Sequence, residues 1–133
     1  MKTKSLLLIT AILAILLSAC ELNKLKFGEV RMMYGTNEEG RISYDISTFT
    51  GIESGDLQAE QGQIISFTYM ADLEKGTLVI EWQDPQGQVI WQKNLEESDQ
   101  GGDEIEILSP GTYRIIIQGK GIGGRFDVSW HVK

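Results

Sequence analysis

The chain has 133 residues, with 12 basic against 19 acidic side chains, a net charge of −7 and one cysteine. That acidity opposes the phosphate backbone of nucleic acid and is repelled by anionic lipid headgroups, so charge recruits neither partner. A lone cysteine excludes an internal disulfide, and the length suits one domain whose modest core must hold by packing alone.

Met1-Lys2-Thr3-Lys4-Ser5 is a short basic start, and Leu6 to Leu17 is apolar except for Thr10, the layout of a secretory signal peptide. From Leu6 to Cys20 is 15 residues, fewer than the roughly 18 that a membrane-spanning helix needs. The following Leu17-Ser18-Ala19-Cys20 resembles the lipobox of bacterial lipoproteins, an apolar residue and two small ones before a cysteine. The resemblance implies residues 1–19 as signal peptide and Cys20 as the lipidated first residue of a chain held at the extracytoplasmic face of the cell membrane. The membrane is then a partner through acyl chains, whose buried methylenes contribute about 0.8 kcal/mol each. Removal of residues 1–19 takes Lys2 and Lys4 with it and leaves 114 residues carrying 10 basic and 19 acidic groups, a charge of −9. Residues 20–26 read as a polar tether and residues 27–133 as the folded domain.

From Phe27 onward apolar residues recur every second position, which predicts strands. In order these are Glu29 to Tyr34, Arg41 to Phe49, Leu57 to Glu60, Gln63 to Met70 and Thr77 to Trp82, with Ile65, Phe67 and Tyr69 inward. Asp84-Pro85-Gln86-Gly87 supplies turn chemistry, and Gln88 to Lys93 returns with Val89 and Trp91 inward. Glu104 to Leu108, Thr112 to Gln118 and Arg125 to Lys133 follow, the last placing Phe126, Val128, Trp130 and Val132 on one face. Turn signals every 8 to 12 residues between such segments predict an all-β fold, an antiparallel β-sandwich of about eight strands with jelly-roll or Greek-key connections. Gly119 to Gly124 reads as a glycine-rich loop; it opens no helix, so it lacks the geometry of a phosphate cradle.

Leu108-Ser109-Pro110-Gly111-Thr112-Tyr113 has the form of a strand start where a tyrosine bonds back across a corner. With Arg114 to Gly119, the glycine-bearing segment and Phe126-Asp127-Val128-Ser129-Trp130, it resembles the last two strands of bacterial pre-peptidase C-terminal domains. The resemblance implies a non-catalytic sandwich and carries over no functional residue.

Catalysis has little to work with: His131 is the sole histidine and falls on the polar face of the final strand, and no nucleophile or zinc motif is present. No cofactor is expected. The densest acidic stretch runs from Glu96 to Glu104, in which Asp99, Asp103 and Glu104 are the candidate ligands for a hard cation such as calcium, although the alternating EF-hand pattern is missing. Trp82, Trp91 and Trp130 all fall in phase with inward residues, which assigns them to the core rather than to a sugar platform. Ile90, Val79 and Ile116 fall on the opposite face, as an apolar patch would. The reading is a cell-envelope lipoprotein with a non-catalytic binding or accessory module for a protein or polysaccharide. Carbohydrate or calcium binding is the alternative, and a small hydrolase comes last.

Overall fold

A computed structural model describes residues 33–133; the expected signal peptide, Cys20, the tether and the start of the first strand lie outside them. The described chain forms six antiparallel strands: β1 Met33–Glu38, β2 Arg41–Ala59, β3 Ile64–Gln83, β4 Val89–Leu95, β5 Asp99–Glu106 and β6 Gly111–Val132. They hydrogen-bond in the order β1-β2-β6-β3-β4, and β5 also pairs with β3. The last strand in sequence therefore inserts between β2 and β3.

Six strands replace the expected eight or so because β2, β3 and β6 each turn a corner without breaking and so join two of the nine segments read from the sequence. β3 pairs with β5 over Ile64–Ala71 and with β4 over Leu78–Gln83, so its two halves belong to different layers. Register shifts at Ile46/Phe49/Gly51, at Leu73/Lys75/Thr77 and opposite Gly119 to Gly124 mark the corners of β2, β3 and β6. Bulges of this kind bend a strand and sharpen its twist. One layer comprises β1, the first half of β2, the second half of β6, the first half of β3, and β5. The complementary halves of β2, β6 and β3, with β4, form the other.

The layers face each other across an apolar interior. Phe67 and Trp82, fifteen positions apart on the same strand, have ring centroids 5.8 Å apart, and Trp82 meets Trp130 of β6 edge-on at 5.8 Å. Around them Ile42, Ile65, Leu78, Ile80, Ile115, Ile117 and Val128 are fully buried. The expected inward residues Ile65, Phe67, Tyr69, Phe126, Val128 and Trp130 lie in this core with Val132 partly buried against it, and Leu78, Ile80, Trp82, Tyr113, Ile115 and Ile117 alternate into it likewise. Val89 does not: a bulge pairs Gln83 with Val89 but Trp82 with Trp91, so Ile90 is an extra residue and Val89 turns outward, 50% exposed.

Glycines make the corners possible. Gly76 has φ +79°, and a Cβ there would run into the backbone of Gly121; Gly124 has φ +122°, and a Cβ there would strike the carbonyl of Asp72. The expected loop at Gly119 to Gly124 is thus the bend of β6, packed backbone to backbone on the bend of β3. The expected tyrosine corner is formed, with the Tyr113 hydroxyl donating to the Ser109 carbonyl at 2.8 Å.

Candidate functional site

The acidic stretch expected to be a loop is largely strand. Asp99 to Glu106 pair residue for residue with Ala71 to Ile64, forming the edge of the first layer, while β4 forms the edge of the second. Glycines and acids are poor strand formers by propensity, but a charged edge strand is how sheets commonly end. The two edges leave a seam, faced by the side chains of Trp91 and Lys93 from β4 and of Asp99 and Asp103 from β5, with Gly101 between the two aspartates. At the β4–β5 turn the seam opens into a hollow lined by residues 93–99.

Trp91 is the tryptophan that reaches the surface here. Trp82 is 0% and Trp130 6% exposed, whereas Trp91 is only partly buried, so the core assignment holds for the first two and is corrected for the third. Its ring stands edge-on to Phe67 at 4.7 Å and tilted to Tyr69 at 6.1 Å, and its indole N–H donates to Asp103 at 3.1 Å. One side of the ring system is thereby fixed to the core while the rest faces the seam.

Beside it the Tyr69 hydroxyl donates to Asp99 at 3.2 Å and the Lys93 ammonium pairs with the same carboxylate at 3.1 Å. The Lys93 hydrogen bond, followed by the backbone N–H of Gln100, holds the Asp99 carboxyl below its ordinary range, and the Asp99 bond raises Lys93 above its own. Gly101 lies between the two aspartates, and a Cβ there would come within 2.9 Å of the Tyr69 oxygen. The glycine lets that hydroxyl sit against β5.

Asp99, Asp103 and Glu104 do not converge. Asp99 and Asp103 are four residues apart on a continuous strand, about 13 Å at the usual rise, and Glu104 points to the opposite face, where it pairs with Lys133. Among the described residues no group of three or more His, Cys, Asp or Glu side chains is placed to hold a metal ion. Asp103 accepts one N–H on each oxygen, from the Trp91 indole and from the Glu104 backbone. His131 is exposed opposite Ser66.

The outward apolar residues lie on a diagonal across β2, β6 and β3, with Ile52, 63% exposed, and Val79 each opposite Gln118 and diagonal to Ile116. Val79 and Ile116 are half-buried among polar neighbours, opposite Gln118 and Glu81 respectively, while Ile90 sits on the β4 bulge at 41% exposure. What sequence reasoning missed is the pairing of Trp91 with Asp103. Its signal was the surplus of carboxylates one strand away from a tryptophan, but β6 fills one edge of β3 and leaves β4 and β5 the other, and the corner of β3 that turns them face to face leaves no mark in local periodicity.

No family model matches the chain, and no curated protein matches it. Solved structures with similar backbones include TmCBM61 in complex with beta-1,4-galactotriose, at 14% identity, 71% coverage of this chain, 65% of that one and a TM-score of 0.43. Others are the Aeromonas hydrophila periplasmic g-type lysozyme inhibitor PliG (14%, 74% and 93%, 0.46) and a CBM4 structure (10%, 79% and 76%, 0.48). At TM-scores below 0.5 these similarities carry no assignment, and the sandwich rests on the chain's own interlayer contacts.

Proposed function

We propose that this chain is a cell-envelope lipoprotein, anchored through lipid on Cys20, whose sandwich is a non-catalytic module that binds polysaccharide at the Trp91 seam. The observation that carries the ligand reading is the partly exposed indole of Trp91 set between Asp99 and Asp103. Aromatic faces take the C–H face of a sugar ring, and fixed carboxylates, a hydroxyl and an ammonium take its hydroxyl groups. Among the described residues the seam holds no histidine, and Asp99 and Asp103, four positions apart on an extended strand, are spaced more widely than the roughly 5 to 9.5 Å of a glycosidase carboxylate pair, which supports binding rather than turnover.

Tryptophan fluorescence tests this in the unmodified protein. Since Trp82 and Trp130 are buried, acrylamide quenching reports mainly on Trp91, and a bound glycan lowers it. Glycan retention with unchanged quenching places the site elsewhere. The anchor has its own test: Cys20→Ser lacks the thiolate that is alkylated, so incorporation of a labelled fatty acid falls to background. Equal labelling of parent and variant refutes lipidation.

A further inference from the structure

We infer that the Trp91 seam selects uncharged glycan chains and rejects polyuronates and other polyanionic ones, an inference that rests on the glycan-binding reading above. The seam and its turn carry four carboxylates, Asp99 and Asp103 inside and Glu96 and Glu97 at the turn, while Glu104 and Glu106 lie on the outer face of the same edge strand. The two ammonium groups beside them are committed, Lys93 to Asp99 and Lys133 to Glu104. Among the described residues of the seam, an incoming carboxylate therefore meets like charge along β5 and at the turn, and on β4 a single ammonium, Lys93, already paired with Asp99. Such an arrangement discriminates by repulsion more than by attraction.

Uncharged hydroxyls meet the opposite situation, because each is donor and acceptor at once. The Asp103 oxygens accept one N–H each, from Trp91 and from the Glu104 backbone, and a carboxylate has about four acceptor sites. The Tyr69 oxygen keeps its acceptor capacity while its hydrogen is on Asp99, and the Lys93 ammonium retains N–H groups beyond the one it gives Asp99. Donors and acceptors thus alternate along the seam beside an apolar ring. This pattern fits a chain of neutral sugars.

Affinity electrophoresis of the detergent-solubilised full chain tests the selectivity, using gels containing neutral β-glucan, galactan, mannan or xylan, and gels containing polygalacturonate. The expected result is retardation by at least one neutral polysaccharide and none by polygalacturonate, even at about 20 mM salt where charge is least screened. A rim variant, Glu96→Lys with Glu97→Lys, leaves Trp91 and its partners intact; it should be retarded by polygalacturonate severalfold more than the parent, with neutral retention unchanged. Parental retardation by polygalacturonate equal to that by a neutral glycan, and lost in Trp91→Ala, overturns the selectivity and leaves the glycan reading standing. Retardation by none of these polysaccharides overturns both. Should Trp91→Ala fail to fold, protection of Trp91 from acrylamide by polygalacturonate in the parent overturns the selectivity in its place.

Discussion

Single side chains divide sharply by their neighbours. Trp130 packs edge-on against Trp82, and its ring fills the space left by Gly55, where a Cβ would lie 2.9 Å from it. Truncation to alanine leaves a cavity between the layers, so Trp130→Ala is expected to cost about 3 to 5 kcal/mol, whereas the exposed His131→Ala stays within about 0.5 kcal/mol. Denaturant midpoints of the two variants check this; an unmoved Trp130→Ala midpoint would remove Trp130 from the core. Tyr113 holds its corner through a single hydrogen bond to Ser109, so Tyr113→Phe is expected to lose about 1 kcal/mol while the ring packing remains. Trp82 is the contrasting case, with a buried indole N–H that has no hydrogen-bond partner among the described residues. That group carries a desolvation cost of about 1–3 kcal/mol, offset by the area the ring buries between Phe67 and Trp130.

At the scale of the strand, the corners decide the architecture. Without bulges, β2, β3 and β6 would run straight and the sheet would stay a single layer with one face of Ile, Phe and Trp in water. Gly124 combines a positive φ with a close approach to Asp72, and Gly76 does the same toward Gly121. Gly124→Ala and Gly76→Ala therefore combine backbone strain of order 1–3 kcal/mol with a steric clash. Gly62, with φ +87° but open space around its Cα, should show the strain alone under the same substitution. Thermal melts of the three variants compare them directly, and a Gly62→Ala protein as destabilised as the other two would refute the role given to backbone contact between the corners. Two-residue periodicity made both halves of β3 and of β6 legible, but in β2 it showed only Leu57 to Glu60 beyond the corner, because Ile52 faces outward and Glu53 takes the inward phase. The continuity of the halves was not legible, because Gly119 to Gly124 reads locally as a loop and acquires strand hydrogen bonds only through β2 and β3.

Across the whole molecule the outer face of the β1–β5 layer is stitched by ion pairs between neighbouring strands, Arg125 with Asp45 at 2.7 Å and Arg41 with Asp127; Arg114 with Asp56 at 2.6 Å does the same on the other layer. Hydrogen bonds from these arginines hold Asp45, Asp127 and Asp56 below the ordinary carboxylate range, as Lys93 does Asp99. A folded-state pKa below the unfolded one contributes stability that is complete above the unfolded value, near 4, and is lost as pH falls through the folded value. The denaturation midpoint should hold steady from neutral pH to about 5 and decline below about 4. Asp127→Asn should shorten that decline, and an acid limb identical to the parent's would show that the Arg41 pair contributes nothing to it. Exposure and salt keep each pair weak, so the effect is cumulative.

Composition, the basic-apolar start, the lipobox-like Leu17-Ser18-Ala19-Cys20 and the period of two decided by themselves an all-β domain and the expectation of a lipid anchor, because hydrophobic patterning and short motifs are local properties of the chain. The inward identity of Trp82 and Trp130 was equally local, since each follows the alternation of its own strand. The candidate site was not. Trp91 follows the inward phase as the other two do, but β4 is an edge strand and no further described strand covers that side, so the ring is only partly buried. Asp99 and Asp103 looked like loop oxygens for a cation until pairing of β5 with β3 spread them along an extended edge and turned them toward Trp91. Strand order and bulge position join residues distant in sequence, and these alone determine which carboxylate an aromatic ring meets.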